Sequence, residues 1–296
     1  MRTNAAATDP LTLVTPLAPA LAPTNAIERE TDRIDWVTSV PFIGMHVAAV
    51  AGLFYFPLTW KHAALAVGLY YLRMFGITAG FHRYFSHRTY KMGRAMQFAM
   101  AFLGTLSVQK GVLWWAAHHR HHHKFSDKVE DVHSPVQRGF WWSHVGWILA
   151  KTYEDTDFSQ VRDLTKYPEL VWLNKYHVVP AFVLGTALVL AGGWAAFFWG
   201  FVVSTVVLWH GTFTVNSLTH VFGKKRYDSG DESRNSFLIA LITLGEGWHN
   251  NHHHYMSSTR QGFFWWELDG SYYALKLLEK VGLVSDLREP PAHLLT

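Results

Sequence analysis

Long apolar stretches recur along the chain and are separated by polar segments. Two apolar stretches, 95–115 and 140–149, are interrupted by polar residues and predict interfacial or half-buried helices. Four other stretches approach the roughly 20 residues with which a helix crosses a bilayer. They lie at about 40–60, 62–79, 176–191 and 194–215. The pattern predicts an all-α protein with four transmembrane helices.

Lysine and arginine are distributed unevenly about these four stretches. The two outer connections, near 57–62 and at Gly192–Gly193, contain one basic residue, Lys61. Arg73 lies inside the second stretch, and the other 24 of the 26 basic residues fall on the opposite side with both ends of the chain. This bias predicts an integral membrane protein with cytoplasmic N and C termini. The alternative is a large soluble protein with buried helices.

The composition narrows the choice of function. Of the 296 residues, 49% are hydrophobic and 16% are charged, against about 25% charged in an average soluble domain. The net charge is +4 with histidine neutral, but no basic run lies on a polar recognition element, so we expect no nucleic-acid partner. The absence of cysteine excludes a disulfide scaffold, thiolate zinc sites and cysteine-ligated iron–sulfur clusters.

We divide the chain into three parts. Residues 1–37 predict a flexible tail, because prolines interrupt the region near 10–23, and 27–36 could form a short interfacial helix within it. Residues 38–280 form the membrane domain. Residues 281–296 are expected to be a C-terminal tail.

Histidine is the unusual residue of this sequence. The chain has 19 histidines, and 12 of them lie in three tracts, 82–87, 118–123 and 249–254, or at His220. Each segment falls at or beyond the end of a predicted span, on the predicted cytoplasmic side. The topology therefore brings residues that are distant in sequence to one face of the membrane, in a helical cap.

The spacing inside the tracts suits metal binding. Positions i, i+3 and i+4 share one face of a helix, which is the spacing of His119, His122 and His123 and also of the tract that begins at His249. His82 and His87 are five residues apart, about 140° on an α-helix, so that pair requires a helix end or local unwinding.

Two metal ions explain so many imidazoles better than one does. Neutral imidazole binds first-row transition metals. The zinc-protease motif HExxH is absent, and a bis-histidine haem needs only two histidines. Glu-x-x-His occurs at 130–133 and 246–249, but the predicted spans lack the further inward glutamates of a carboxylate-bridged di-iron bundle. An all-histidine di-metal site remains, with iron and O₂ as the favoured chemistry. For the 118–123 tract alone, a solvated or metal-scavenging tract is the alternative.

With these motifs in place, the chain resembles the membrane fatty acid desaturases, specifically the bacterial members of the stearoyl-type Delta-9 group. The resemblance covers roughly residues 40–270. It rests on three histidine boxes and on the segments that flank them. The boxes are 82–87, 119–123 and 249–253, and the flanking motifs are 76–80, 139–147, 216–220 and 245–248.

The resemblance implies roles for individual residues. Asn216 matches the position that holds a metal-bound water, and Asp131 and Glu246 are candidates to accept the second ring N–H of a ligand. Trp115 and Phe213 could line an acyl tunnel, or they could belong to an interfacial aromatic belt. One iron would be bound by His82, His87, His119, His123 and His252, and the other by His122, His220, His249 and His253.

The resemblance also implies a reaction. The expected activity is an O₂-dependent desaturase that introduces a cis double bond, at Delta-9, into a saturated acyl chain. Two irons and external electrons would be required, and a separate donor (ferredoxin, or a cytochrome with its reductase) would supply the electrons. Ala117 and His118 stand where acyl-CoA enzymes have Arg-Asp, which leaves acyl-CoA and acyl-lipid substrates open. The expected location is a bacterial inner membrane, with the active site cytoplasmic.

Several alternatives remain open from the sequence. A membrane di-iron hydroxylase or monooxygenase uses similar boxes, and a b-type haem carrier or a metal transporter would be non-enzymatic. Residues 224–226 are basic and could dock an acidic electron carrier, although an ordinary cytoplasmic loop has the same composition. Arg73 inside a span is a functional candidate without an assigned role.

Overall fold

The computed structural model describes residues 32–295, which are mostly helical, as predicted. Their α-helices are Val40–Gly52, Trp60–Phe75, Arg94–Thr105, Val112–Phe125, Pro135–Arg138, Trp147–Leu149, Arg162–Thr165, Pro168–Lys175, Val179–Phe197, Ser204–Ser217, Phe237–Ile242, His249–His254 and Gly270–Lys280. Their π-helices are Gly76–Ser86, Trp142–Gly146 and Phe198–Val203. Their 3₁₀-helices are Lys151–Tyr153, Phe158–Val161, Leu218–His220 and Ala292–Leu294. Two strands, Lys91–Met92 and Val284–Ser285, pair antiparallel.

Two continuous helical segments are long and apolar enough to cross a membrane, by length and composition. We call Trp60–Ser86 the first long helix and Val179–His220 the second long helix. Val40–Gly52 is also apolar but has only 13 residues, fewer than the roughly 20 that a bilayer core requires. The sequence predicts four spanning helices, so the described residues show fewer candidates than expected.

The second long helix reverses direction at Gly193. The backbone of Gly193 has φ 69° and ψ −168°, a conformation that a residue with a side chain rarely adopts. A Cβ built on Gly185 would lie 3.1 Å from the Phe197 ring, although 12 residues of straight helix span about 18 Å. The segments before and after Gly193 therefore pack against each other, and the turn lies where the sequence predicts the connection between the third and fourth apolar stretches.

The first long helix changes character before the first histidine box. It begins with the Thr59 side chain accepting a hydrogen bond from the backbone N–H of His62. From Gly76 onward it continues as a π-helix, and the N–H of His87 donates to the carbonyl of His82 at 3.2 Å. A π-helix repeats its hydrogen bond every five residues, so it supplies the local unwinding that the spacing of this histidine pair predicts.

Other helices pack closely around this π-helical segment. A Cβ on Gly76 would lie 2.7 Å from the backbone nitrogen of Gly104, so the absence of a side chain permits the close approach of the two helices. Phe81 and Phe85 are fully buried in the main hydrophobic core, together with Leu113. The core therefore fixes the first and second histidine boxes relative to each other.

Both predicted tails contribute to the fold where they are described. Val284–Ser285 pairs with Lys91–Met92, so the prediction of a C-terminal tail from residue 281 is wrong for that pair. At the other end, Asp32 forms an ion pair with Arg138, and the N–H of Asp35 donates to the carbonyl of Leu149. Residues 32–36 form no helix, and the rest of the predicted N-terminal tail lies outside the described residues.

Three histidines outside the boxes connect separate elements. His46 Nε2 lies 3.0 Å from His210 Nε2, and His210 Nδ1 lies 3.0 Å from His144 Nε2. His144 Nδ1 in turn lies 2.9 Å from the Ser217 hydroxyl. His46 and His210 therefore bond to each other across two helices.

Candidate metal centre

The structure brings the nine predicted ligand histidines together in two groups. In each group, the nitrogen atoms that could bind a metal all lie within 4.8 Å of one another. The five-histidine group contains His82, His87, His119, His123 and His252, and the four-histidine group contains His122, His220, His249 and His253. These are the two sets that the resemblance implies, and they come from four separate segments of the chain.

Ring nitrogens converge in the five-histidine group at distances that fit one metal ion. The Nε2 atoms of His87 and His119 are 2.8 Å apart. The Nε2 atom of His252 lies 3.0 Å from those of His82 and His123. A first-row ion binds imidazole nitrogen at about 2.1 Å, so two ligands at a right angle would be about 3.0 Å apart. The observed spacing therefore fits one ion that these nitrogens would hold.

The four-histidine group has the same convergence and an unpaired nitrogen. His220 Nε2 lies 3.1 Å from His249 Nε2. His253 Nε2 is buried and has no hydrogen-bond partner among the described residues. A buried polar atom normally has a partner, and a metal ion would supply one here. The residues of this group therefore fit a metal as well.

Three aspartates support the four-histidine group from outside. Asp131 lies 3.0 Å from His122 Nδ1, as the sequence predicts. Asp127 lies 2.8 Å from His220 Nδ1, and Asp231 lies 2.5 Å from His253 Nδ1. Sequence reasoning missed Asp127 and Asp231. Asp127 lies only eight residues after His119, and its closeness to the second box is a signal that could have indicated it. Asp231 lies in a loop that no motif marks. With Nδ1 held by a carboxylate, each ring presents Nε2 to the centre.

Glu246 supports the five-histidine group, as predicted, through His82 Nδ1. Glu246 is itself held by Arg83, whose guanidinium lies 3.0 Å from Glu246 and 2.8 Å from Asp269. Arg83 is fully buried, and a buried charge needs such partners. The sequence places Arg83 inside the first box but gives it no role; the structure shows that it connects the first box to the third.

Most imidazoles of the centre are held in the neutral form by their surroundings. Burial and neighbouring imidazoles hold the pKa values of His87, His119 and His252 well below the usual 6.5. Burial also lowers the pKa of His253 to about 4. His122 differs, because Asp131 overcomes the effect of burial and raises its pKa. Neutral imidazole is the form that binds metal.

Two asparagines hold the third box in place. The Asn250 carboxamide accepts hydrogen bonds from the backbone N–H groups of Arg226 and Tyr227. The Asn251 amide donates to the carbonyl of Gln261 and to Glu267, both at 2.9 Å. Both side chains are fully buried. The residues between the ligand histidines of this box therefore anchor its short helix to the loops on either side.

The remaining histidines of the tracts point away from the two groups. His118 Nδ1 bonds to the carbonyl of Trp114, and His121 Nε2 bonds to the carbonyl of Glu130. His254 stacks on the Tyr227 ring at 4.5 Å. These histidines belong to neither group.

A cavity of about 310 Å³ reaches the centre from the side. Its inner wall includes Trp115, His119, Phe213 and Asn216, so the two residues predicted for an acyl tunnel do line a cavity. A second, smaller space of about 30 Å³ touches both histidine groups. Trp115, His119, Thr212 and Asn216 line both spaces, which places Asn216 between the cavity and the metal centre.

Comparison with known proteins now bears on this geometry. The family model for fatty acid desaturases matches residues 35–276. The chain belongs to the fatty acid desaturase family. It is therefore an oxidoreductase of the acyl-CoA or acyl-lipid desaturase type.

Similar relatives differ in substrate and in double-bond position. The sn-1 stearoyl-lipid 9-desaturase of Anabaena variabilis is 36% identical over 258 residues, which cover 86% of this chain and 94% of the relative. The sn-2 palmitoyl-lipid 9-desaturase of Nostoc sp. (strain 36) is 33% identical, covering 92% and 95%. An acyl-CoA 5-desaturase of Anemone leveillei is 35% identical, covering 89% and 85%. A fatty acyl substrate is common to all three names.

Proposed function

We propose that this desaturase uses O₂ and external electrons to introduce a cis double bond at Delta-9 into a saturated acyl chain. The observation that carries the proposal is the position of an apolar-lined cavity directly beside two convergent imidazole groups. An unactivated methylene group loses hydrogen only to a strong oxidant, which no side chain provides. Such a reaction requires metal ions and an adjacent apolar cavity.

Two irons are the proposed cofactor. The five-histidine group would hold one ion and the four-histidine group the other, with Asn216 beside a metal-bound water. The irons with O₂ would supply the oxidizing power. Asp131, Asp127, Asp231 and Glu246 fix the tautomer and direction of the rings that they contact. The fit rests on the nitrogen spacing of 2.8–3.1 Å and on the unpaired His253 Nε2.

The cavity residues would position the acyl chain and exclude water. The Trp115 ring stacks on His119 at 4.9 Å, which closes the cavity wall next to a proposed ligand. Gln109 Nε2 donates to the Thr212 hydroxyl at 3.1 Å, which satisfies two polar groups in this wall. An acyl chain that passes from the larger to the smaller space would lie against both histidine groups.

An acyl-lipid is the proposed substrate. Lipid-linked 9-desaturases are among the relatives in cyanobacteria. At the position of the Arg-Asp pair of acyl-CoA enzymes, Ala117 is buried and His118 is bound to Trp114. Neither residue offers a cation to a nucleotide phosphate. A chain attached to a membrane lipid needs no such contact.

We propose four membrane crossings, with both termini and the metal centre cytoplasmic in a bacterial inner membrane. The reversal at Gly193 divides the second long helix into two crossing segments. The 13-residue helix Val40–Gly52 would cross with its flanking apolar residues. The basic residues of the loops support this orientation.

Electrons would come from a separate carrier, a ferredoxin or a cytochrome with its reductase. The basic loop 224–226 is less free for docking than the sequence implies, since Lys225 contacts Glu232 and Arg226 contacts Glu267. His87, His119 and His123 are partly exposed. We therefore favour the five-histidine group as the point of electron entry.

Expression in a host that lacks fatty acid desaturation tests the proposal. The lipids are hydrolysed, and the position of each double bond is read by mass spectrometry. We expect a cis-Delta-9 monoene that is absent with His252→Ala and present with His254→Ala, a partly exposed histidine of the same tract that belongs to neither group. A hydroxy acid in place of the monoene, or no new product from an iron-loaded protein, would overturn the proposal.

A further inference from the structure

Arg73 is a fully buried cation within the first long helix. Among residues 32–295, no carboxylate acts on its charge. Its guanidinium donates from Nη2 to the Ser204 hydroxyl at 2.6 Å and from Nη1 to the Thr205 hydroxyl at 2.7 Å. The same Nη1 reaches the carbonyl of Leu106 at 3.4 Å. Such a costly residue inside a membrane segment calls for a functional explanation.

The loop that Arg73 reaches is strained. In the 106–110 loop, Val108 has φ 58° and Lys110 has φ 64°, and a β-branched residue such as valine is a genuine outlier there. Side chains from elsewhere hold the carbonyls of three successive residues. Arg73 binds the carbonyl of Leu106, and the Trp209 indole N–H donates to those of Ser107 and Val108 at 3.0 and 3.2 Å.

This loop forms part of the cavity wall beside the metal centre. Val108, Gln109 and Lys110 line the 310 Å³ cavity. Gln109 donates to Thr212, which also lines the smaller space that touches both histidine groups. A displacement of the loop would therefore change where an acyl chain lies relative to the centre. Strain that surrounding contacts maintain is frequent at sites that position a ligand.

We propose that Arg73 is a positioning residue that determines which methylene groups of the acyl chain face the metal centre. It does so by holding the 106–110 loop in its strained shape against Ser204 and Thr205 of the second long helix. This inference rests on the proposed desaturase function. It predicts that loss of the guanidinium changes the position of the double bond and not only the yield.

The first test compares Arg73→Met and Arg73→Lys with wild type in the desaturation-deficient host. Wild type should give one positional isomer. Arg73→Met should give at least two, with total product about tenfold lower because the chain is misplaced by a fraction of an ångström. Arg73→Lys keeps the charge, but the lysine ammonium group cannot contact all three partners. The mixture of positional isomers should therefore persist, with a higher total yield than Arg73→Met gives. Arg94→Met removes an exposed ion pair with Glu169 and should leave a single isomer.

The second test needs neither iron nor turnover. Lys110 offers a trypsin site in the loop, and the rate of cleavage after it is measured by mass spectrometry on metal-free protein in detergent. Arg73→Met should speed this cleavage relative to wild type and to Arg94→Met. If Arg73→Met does not accumulate, Thr205→Val removes one of its anchors and serves in both tests.

The outcomes separate the two proposals. If Arg73→Met forms the same single isomer as wild type and is cleaved at the same rate, the proposed role of Arg73 is overturned. A lower yield of that same isomer would show that Arg73 only stabilises the protein, and this result would overturn the inference too. If wild type forms no unsaturated product, the proposed function fails. In that case faster cleavage would still support the hold of Arg73 on the loop.

Discussion

The two histidine groups lie side by side but differ in exposure and in charge. Three of the five-histidine group, His87, His119 and His123, are partly exposed, whereas all members of the four-histidine group are buried. One carboxylate, Glu246, contacts a ring of the first group, that of His82. Three aspartates contact the rings of the second. A similar ligand type is therefore placed in two different electrostatic environments.

The difference predicts that the two groups hold metal ions with different strengths. The aspartates place more negative charge around the buried group, which stabilises a metal cation and slows its exchange. The partly exposed group is closer to solvent. We expect the buried ion to be held more firmly and the exposed one to exchange first.

The largest effect should come from removing one imidazole of the buried group. His220→Ala leaves three rings in that group, so we expect iron to fall from two ions per chain to one and activity to fall more than about 100-fold, beyond the loss for a residue that only supports a ligand. Iron is measured by elemental analysis of purified protein. His254→Ala is the matched control and should keep both ions; a His220→Ala protein with both ions would break the comparison.

A smaller effect should follow from removing one supporting carboxylate. Asp231→Asn should weaken metal binding at the four-histidine group by about 10–100-fold and leave the other group loaded. Glu246→Gln should weaken the five-histidine group instead. It should also lower the free energy of unfolding by about 1–3 kcal/mol, because buried Arg83 loses one of its two carboxylates.

Competition titrations with a chelator, together with thermal unfolding of metal-free protein, measure both variants. If either variant weakened metal binding equally at the two groups, this result would show that the carboxylates do not act on their own group alone. Thermal unfolding separates the metal effect from the effect on Arg83.

The effect of pH should also distinguish the groups. The pKa of His122 is raised by Asp131, so this ring is protonated below that pKa and must lose a proton before it binds a metal. Metal affinity at the four-histidine group should then fall about tenfold for each pH unit below it. The pKa values of His87 and His119 are well below 6.5, so these two rings stay neutral between pH 8 and 6 and should add no pH dependence to metal binding at the five-histidine group. Asp131→Asn should remove the difference when retention is measured at both pH values.

The smallest effect concerns an ion-paired carboxylate whose two arginine partners adjoin His87 and His119 in the sequence. Asp163 bridges Arg88 and Arg120, and its pKa is lowered to about 2, where these guanidinium groups overcome the effect of burial. The depressed pKa means that its contribution to stability is present above about pH 4 and is lost as the pH falls toward 2. The carboxylate is partly exposed, so Asp163→Asn should cost less than about 1 kcal/mol. Thermal unfolding at pH 7 and pH 3 checks this, and an equal cost at both values would contradict it.

Sequence reasoning grouped the candidate ligands through their local spacing and through the family resemblance that rests on the histidine boxes. His119, His122 and His123 lie on one helical turn, and the five-residue spacing of His82 and His87 requires the π-helix that the structure shows. The turn at Gly193 was also readable, since adjacent glycines interrupt a long apolar run.

Other features depend on contacts between distant segments. Asp231 reaches His253 from a loop without a motif, and Asp269 reaches Arg83 across 186 positions. The pairing of Val284–Ser285 with Lys91–Met92 leaves no strong pattern in strands of two residues. No local rule predicts which of several aspartates will face an imidazole, so the contacts of Asp127, Asp231 and Arg83 appeared only with the fold.

Iron-57 Mössbauer spectroscopy of the purified protein, combined with iron analysis, tests most directly whether the two imidazole groups hold a pair of metal ions. The account predicts two irons per chain in two distinct environments of equal amount, because the groups differ in ligand number and in carboxylate support. A single environment, one iron per chain, or a protein that binds no iron when it is folded would contradict it.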